Sequence, residues 1–212
     1  MKLREKVNVS QKRAHFYSKK FNRFFNAFKS KSVQRPDSYL EVCALRELEF
    51  DDTVETYQAQ PASFVYELEG KITRYTPDFL IKKKDGSYEF RELKVAHRFL
   101  DPKVQDKLSV LKEFFLDRYN IPLNEWRNTD FDVGHRIDNL SKLYRYKFFN
   151  LAPFDLAKIK KLLIKANTLG DVYATIAKCN CSQALAPALI AHGHVRTDLS
   201  LKYSPTNTVE IH

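Results

Sequence analysis

The sequence predicts an α/β (α+β) fold, in which a mixed sheet is flanked by helices and followed by a small C-terminal module. Two observations lead to this prediction. The turn signal Asp85-Gly86 separates two runs rich in aromatic and aliphatic residues, which is typical of a β-hairpin. Apolar residues with a helical period lie on both sides of this hairpin, at 38–50 and 101–120. We therefore expect a basic N-terminal segment (1–37), a central domain (38–150) and a C-terminal domain (151–212).

The composition predicts a folded protein outside the membrane. Of the 212 residues, 43% are apolar and 13% are aromatic, which is enough for a hydrophobic core. No run of 18 apolar residues occurs, so we expect no membrane span, and the N-terminus lacks the apolar stretch of a secretory signal. The three cysteines, Cys43, Cys179 and Cys181, are then expected to be reduced thiols of a cytoplasmic protein.

Most of the positive charge lies in the N-terminal segment. Residues 1–37 hold 11 Lys or Arg against two acidic residues, which accounts for +9 of the total formal charge of +10. Aromatic residues interleave with these cations, a composition typical of segments that bind phosphates and stack on bases. The cations that we predict to contact nucleic acid are Lys12, Arg13, Lys19, Lys20, Arg23, Lys29, Lys31 and Arg35.

The aromatic residues of this segment predict a helix. Phe21, Phe24, Phe25 and Phe28 are spaced at i, i+3, i+4 and i+7, which gives a helix one aromatic face. Such a helix either contacts nucleic acid or a protein partner, or covers the core of the central domain with its cations in solvent. The sequence leaves both interpretations open.

Residues 38–50 predict the first helix of the central domain, with apolar residues at one face. Ser38 followed three residues later by Glu41 is the pattern of a capping box, in which the Glu41 carboxylate accepts a backbone hydrogen bond at the helix start. The alternative is that Glu41 reaches a metal ion from a helix packed on the sheet. Both roles of Glu41 stay open.

The central sheet is predicted from the segments that follow this helix. Residues 52–69 alternate as one or two strands, and Gly70 leads into a further strand. A hairpin then runs from 75–81 through a turn at 82–87 to the strand 88–95.

Three polar side chains converge in this hairpin. Side chains alternate along a strand, so Glu92 and Lys94 share one face, and the turn brings Asp78 close to Glu92. Mg²⁺ is usually held by one or two carboxylates with water and phosphate, so Asp78, Glu92 and the Leu93 carbonyl suit this ion, with Mn²⁺ as a substitute. Lys94 would orient a water molecule or stabilise developing charge, as metal-dependent phosphodiester cleavage requires. The alternative is a surface hairpin with a cross-strand salt bridge.

The sequence after the hairpin predicts a helix, a strand and a second helix. Asp101 as the N-cap and Pro102 at the first position start a helix with one buried apolar face. A strand is expected near 123–130, although this segment is polar for a buried strand. Residues 135–146 again have a helical period.

The C-terminal domain is predicted to be a winged helix, with three helices and a two-stranded wing. The expected helices are at 155–166, 172–179 and 182–191, the last capped by Ser182, and the expected strands are at 194–201 and 208–211. The third helix carries no Lys or Arg, so contact with a protein is as well supported as contact with DNA.

A zinc site in this domain is only weakly suggested by Cys179, Cys181, His192 and His194. One residue between the cysteines is too few for ordinary structural zinc sites.

Several of these segments together resemble TnsA, the endonuclease of heteromeric bacterial transposons. The segments that carry the resemblance are Ser-Tyr-Leu-Glu41, Leu-Glu-Phe-Asp-Asp52, Tyr-Thr-Pro-Asp78-Phe-Leu, Asp85-Gly86 and Glu92-Leu-Lys94. TnsA is similar to type II restriction enzymes of the PD-(D/E)xK class, so the implied fold is restriction-endonuclease-like. The length of 212 residues is similar to that of TnsA proteins of CRISPR-associated transposons.

The resemblance implies roles and partners. Glu41, Asp78 and Glu92 would be the metal-binding carboxylates, and Lys94 the catalytic lysine. The family cuts the 5′ ends of double-stranded transposon DNA, while a TnsB-like DDE transposase cuts and joins the 3′ ends and a TnsC-like AAA+ ATPase regulates the reaction. Two alternatives remain: a stand-alone restriction- or resolvase-like nuclease, and a non-catalytic DNA-binding adaptor.

Overall fold

The computed structural model describes residues 24–68 and 70–212. The described chain divides into a first unit (24–42 and 53–129) and a second unit (43–52 and 130–212). Helix α1 (Tyr39–Phe50) begins in the first unit and continues into the second. The chain passes between the units after residues 42, 52 and 129, whereas the sequence predicted limits at residues 37 and 150. The domain limits themselves stay a prediction.

The first unit is built on a four-stranded sheet. In chain order its described strands, and the α-helix that lies wholly within it, are β1 (Phe25–Ala27), β2 (Ser32–Gln34), β3 (Val54–Ala59), β4 (Phe64–Leu68), β5 (Lys71–Tyr75), β6 (Phe79–Lys83), β7 (Tyr88–Lys94), α2 (Pro102–Tyr119) and β8 (Leu123–Arg127). The sheet order is β3-β6-β7-β8, with antiparallel β3–β6 and β6–β7 pairs and a parallel β7–β8 pair. The pairs β1–β2 and β4–β5 form separate antiparallel hairpins. The predicted mixed sheet with flanking helices is confirmed.

The turn between β6 and β7 forms where the sequence places it. Gly86 adopts a φ of +87°, which a residue without a Cβ adopts easily. Its N–H donates to the Lys83 carbonyl at 3.0 Å, and Asp85 Oδ1 accepts from the Ser87 N–H at 2.8 Å. The turn therefore fixes the register of the hairpin that carries Asp78, Glu92 and Lys94.

Helix α2 connects β7 to β8 and makes their parallel pairing possible, since a parallel pair needs a long crossover. Asp101 caps the helix by accepting from the Lys103 N–H at 3.0 Å, and Pro102 is its first residue, as predicted. The expected strand near 123–130 is β8, which lies at the edge of the sheet. The polar sequence of β8 fits an edge position, because an edge strand is partly exposed to solvent. Only Leu123 and Trp126 of this strand are buried. None of the described helices has the length and apolarity needed to cross a membrane.

Aromatic rings fill the core between α2 and the sheet. Phe115 on α2 is fully buried, and its ring centroid lies 4.7 Å from that of Phe64 and 4.6 Å from that of Phe90. Tyr75, at the end of β5, joins the same cluster. The β4–β5 hairpin is therefore held against α2 and β7 by ring packing.

The second unit is mainly helical. Its described elements after α1 are α3 (Arg136–Leu143), α4 (Leu156–Leu163), α5 (Leu169–Lys178), α6 (Leu185–Ala191), and the antiparallel strands β9 (Val195–Arg196) and β10 (Glu210–Ile211). A 3₁₀ turn at Tyr144–Phe148 continues α3, so the predicted helical region at 135–146 is confirmed. Three helices and a hairpin occur in the predicted order, and Thr168 pairs with Thr208 in an isolated antiparallel bridge. The assignment of this unit as a winged helix stays a prediction.

Two details of this region were predicted wrongly. Ser182 is not the N-cap of α6, because the helix begins at Leu185 and the Ser182 hydroxyl accepts from the Ala184 N–H in the preceding turn. The strands are two residues each rather than eight and four. Asp198 accepts from the Ser200 N–H at 2.8 Å, and this turn ends the extended run.

The aromatic helix predicted in the N-terminal segment is also wrong over the described residues. Phe25 begins the strand β1, and strand geometry alternates its side chains, so Phe25 is buried while Phe24 is 63% exposed. Phe28 lies in the turn after β1 and is exposed as well. Phe21 lies outside the described residues.

Phe115→Ala should lower the free energy of unfolding by about 3–5 kcal/mol, because it removes a fully buried ring from the centre of the aromatic cluster. Leu116→Ala is the matched control, since Leu116 is 52% exposed and should change the free energy by about 0.5 kcal/mol or less. Urea denaturation measures both. Equal losses in the two variants would contradict the described core.

Candidate functional site

The pairing of β6 with its neighbours places Asp78 opposite Glu92. Phe79 pairs with Arg91 and the strands are antiparallel, so the residue before Phe79 faces the residue after Arg91. The Gln60 N–H donates to the Asp78 carbonyl at 2.8 Å, which extends the β3–β6 pairing to Asp78 itself. The two carboxylates therefore meet at one end of the hairpin, as predicted.

Each of these carboxylates has specific donors. Asp78 Oδ2 accepts from the Leu93 N–H at 2.6 Å. Glu92 is buried, and its Oε2 accepts from the Tyr75 hydroxyl at 2.6 Å, while the Lys94 ammonium pairs with its Oε1. Asp78 and Lys94 are half-buried. The predicted residues Asp78, Glu92 and Lys94 thus lie together in one cluster.

The electrostatics of the cluster make Asp78 harder to ionise. Burial raises the pKa of Asp78 to about 7, and the negative charge of Glu92 raises it as well. The Leu93 N–H and the Lys94 ammonium lower the same pKa, and Glu41 contributes a smaller upward effect. Two adjacent carboxylates with one raised pKa form a site whose charge a cation would balance.

Glu41 acts as a helix cap in this structure. Its Oε1 accepts from the Ser38 hydroxyl at 2.8 Å and its Oε2 from the Asp37 N–H at 3.0 Å, while Ser38 Oγ accepts from the Glu41 N–H at 3.1 Å. Burial raises the pKa of Glu41, and the hydrogen bonds from Asp37 and Ser38 lower it. The capping interpretation is therefore confirmed, and a place for Glu41 in a metal shell stays a prediction.

Tyr75 is a site residue that the sequence reasoning missed. Its buried hydroxyl fixes one oxygen of Glu92, and burial together with the charge of Glu92 raises the pKa of Tyr75, so the phenol stays protonated as a donor. The Lys107 ammonium lies 5.1 Å from the centroid of the Tyr75 ring, on the adjacent helix α2. A buried tyrosine usually needs a hydrogen-bond partner for its hydroxyl. This requirement is the one indication in the sequence that Tyr75 could bond to a nearby carboxylate.

The residues of the cluster fit Mg²⁺ as a two-carboxylate site. Among the residues that the structure describes, no group of three or more His, Cys, Asp or Glu is arranged to hold a metal ion. Mg²⁺ nevertheless needs only one or two carboxylates when water and phosphate complete its octahedron. Asp78 and Glu92 would be these two, and a divalent cation would relieve the repulsion between them. The Leu93 carbonyl as a further ligand stays a prediction.

Three of the predicted nucleic-acid contacts can be placed. Lys29, Lys31 and Arg35 lie in or beside the β1–β2 hairpin, and the Arg35 guanidinium lies 5.2 Å from the centroid of the Phe24 ring. The remaining ones, Lys12, Arg13, Lys19, Lys20 and Arg23, lie outside the described residues. The role of all eight in binding nucleic acid stays a prediction.

The architecture of the first unit is restriction-endonuclease-like: a mixed sheet with flanking helices, and a hairpin that presents two carboxylates and a lysine at one end. The comparison with protein families agrees. Residues 51–123, about a third of the chain, match the family described as TnsA-like endonuclease N terminal. This match includes Asp78, Glu92 and Lys94, and confirms the resemblance to TnsA-type endonucleases. The link to CRISPR-associated transposons stays a prediction. No curated protein matches the chain.

Asp78→Asn should stabilise the protein at pH 8 by on the order of a few kcal/mol and have little effect near pH 4. Asp78 ionises near pH 3.9 in the unfolded chain and at about 7 in the folded protein. Stability that depends on the protonated carboxyl is therefore present below about pH 4 and is lost as the pH rises through about 7. Asn cannot ionise, yet its oxygen still accepts from the Leu93 N–H. Thermal melting in EDTA at both pH values measures the effect.

Asp85→Asn is the control for this experiment, because Asp85 is exposed at the other end of the same hairpin and its pKa is lowered by the Ser87 hydrogen bonds. It should show no gain at pH 8. A gain for Asp78→Asn that is the same at both pH values would contradict the described electrostatics.

Proposed function

We propose that the protein is a Mg²⁺-dependent DNA endonuclease that acts as TnsA does, cutting the 5′ ends of a transposon by metal-assisted phosphodiester hydrolysis. The observation that carries the proposal is the facing pair Asp78 and Glu92, with Lys94 beside them, inside the segment that matches the TnsA-like endonuclease family. A nuclease role in transposition follows from the family match. Three features go beyond the family match and are proposed here: the metal, the strand that is cut and the cooperating proteins.

Asp78 and Glu92, assisted by the Leu93 carbonyl, would hold Mg²⁺ or Mn²⁺. When bound, the ion lowers the pKa of a coordinated water and neutralises charge on the phosphate. The side chains around it have separate tasks. Tyr75 and Lys94 engage different oxygens of Glu92, which fixes the orientation of this carboxylate. Lys94 also places a compact positive charge where a phosphate approaches the carboxylates.

The proposed partners are those of the TnsA family: double-stranded transposon-end DNA, a TnsB-like DDE transposase and a TnsC-like AAA+ ATPase, in the bacterial cytoplasm. The second unit, if it is a winged helix, is proposed to contact a protein. All seven residues of α6 are buried, so this helix presents no side chains for reading bases in a major groove.

A non-catalytic adaptor is the second candidate, and two observations favour it. The Lys94–Glu92 ion pair and the capping role of Glu41 are contacts that a purely structural hairpin also makes. Against it stands the half-buried Asp78, whose carboxylate shares the site with the buried Glu92 and has a raised pKa. A purely structural role gives no reason to place Asp78 where its ionised form is disfavoured. Cleavage assays separate the two candidates.

Asp78→Asn and Lys94→Ala should each reduce Mg²⁺-dependent cutting of transposon-end DNA by at least about 10²-fold, since they remove a ligand or a charge stabiliser at the reacting phosphate. DNA binding should be retained. Cleavage of a supercoiled plasmid that carries a transposon end, with and without the candidate transposase, measures this. Asp85→Asn should cut like the wild type.

Undiminished cutting by Asp78→Asn would remove the site assignment. Full cutting by the wild type without a transposase would instead favour the stand-alone nuclease. If the wild type binds DNA but does not cut with any partner or divalent metal, the adaptor is the better description.

A further inference from the structure

A polar groove runs beside the candidate site in the first unit. It has a volume of about 940 Å³ and lies between the β1–β2 hairpin, the edge strand β3 and the β4–β5 hairpin. Gln60 and Thr76 belong to its lining, and the Gln60 N–H donates to the Asp78 carbonyl. A lining residue of the groove therefore bonds directly to the backbone of Asp78.

The floor of the groove is the sheet face that carries the candidate catalytic residues. Leu80 lines the groove and pairs with Phe90 on β7. Side chains two residues apart on a strand share a face, so Glu92 and Lys94 lie on the same side of the sheet as Leu80. A ligand lying along the groove would therefore be on the same side of the sheet as the Asp78–Glu92 pair.

The lining is cationic. Arg35, Arg74 and Lys82 line the groove, and among its described lining residues none is acidic. The Lys82 ammonium is already paired with Glu55 at 2.8 Å, so the two arginines provide most of the effective positive charge. Arg35 is held over the Phe24 ring, and Arg74 is exposed on β5, two residues before Thr76.

The uncharged part of the lining favours a duplex backbone over single-stranded nucleic acid. Half of the uncharged lining residues are Ser, Thr or Gln, whose hydroxyl and amide groups typically contact phosphate and sugar oxygens. They are Ser30, Ser32, Ser63, Thr56, Thr76, Gln34, Gln58 and Gln60. Binding of single strands relies on stacking on exposed rings, and of the two lining tyrosines, Tyr57 is buried while Tyr88 is 43% exposed.

We propose that this groove binds one sugar-phosphate strand of duplex DNA and leads it to the Asp78–Glu92 pair, with Arg74 and Arg35 as phosphate contacts. This inference rests on the proposed nuclease function and adds the surface that holds the substrate. It assigns a binding role to the two hairpins outside the central sheet. Phosphate contacts carry no sequence information, so the groove positions the DNA and does not select a site.

The test is binding of a duplex oligonucleotide without a transposon end to the full chain in EDTA, followed by fluorescence anisotropy at about 50 to 200 mM salt. Arg74→Ala should weaken binding on the order of tenfold. It should also reduce the slope of log K against log salt by about 0.9, the value for one lost phosphate contact. Arg74→Lys should keep the slope, and Arg74→Glu should weaken binding further.

Arg118→Ala is the matched control, because Arg118 is exposed in the last turn of α2 and does not line the groove. It should leave the affinity and the slope unchanged. Melting curves of all variants in the same buffer verify that they fold, which the exposed position of Arg74 leads us to expect.

An unchanged slope in both Arg74→Ala and Arg35→Ala would overturn the proposal, as would tighter binding of the matching single strand than of the duplex.

Failure of this proposal is distinguishable from failure of the proposed function. If Asp78→Asn abolishes cutting while Arg74→Ala binds DNA normally, the nuclease stands and the groove does not bind its substrate. If Arg74→Ala weakens binding while Asp78→Asn cuts normally, the groove stands and the catalytic assignment falls.

Discussion

The register of the β6–β7 hairpin is the constraint on which the candidate site depends. Because Phe79 pairs with Arg91, Asp78 faces Glu92, and a shift by one residue would turn Glu92 and Lys94 to the other face of the sheet. The turn at Asp85-Gly86 sets this register, and the bond from Gln60 to the Asp78 carbonyl holds the strand end in place. A local turn signal therefore determines the chemistry at the opposite end of the hairpin.

Bringing these two carboxylates together costs stability, and the structure shows what offsets the cost. The Leu93 N–H donates to Asp78, while Tyr75 and Lys94 engage the two oxygens of Glu92. Even so, burial and repulsion raise the pKa of Asp78. Native folds tolerate such arrangements mainly at functional sites, where a cation or substrate supplies the missing stabilisation. The raised pKa of Asp78 therefore supports the proposed functional role of this pair.

Local signals in the sequence predicted most of the first unit. The turn at Asp85-Gly86 and the Asp101-Pro102 helix start each depend on neighbouring residues, and both occur as expected.

Predictions that depended on tertiary context were weaker. Phe24 and Phe25 have a helical spacing with Phe28, but pairing of β1 with β2 overrides it. Tyr75 was missed because its bond to Glu92 joins strands that are not neighbours in any sheet. Glu41 satisfied a local cap, which a sequence motif cannot separate from a metal ligand.

We propose that Asp78 and Glu92 form one binding site for a divalent cation. Titration of Mn²⁺ into the full chain at pH 8, followed by the electron paramagnetic resonance of the free ion, tests it most directly, since it requires neither DNA nor partner proteins. We expect saturable binding by the wild type that is lost in Asp78→Asn and in Glu92→Gln alike, and kept in Asp85→Asn. Binding of equal affinity and stoichiometry in all four proteins would contradict it.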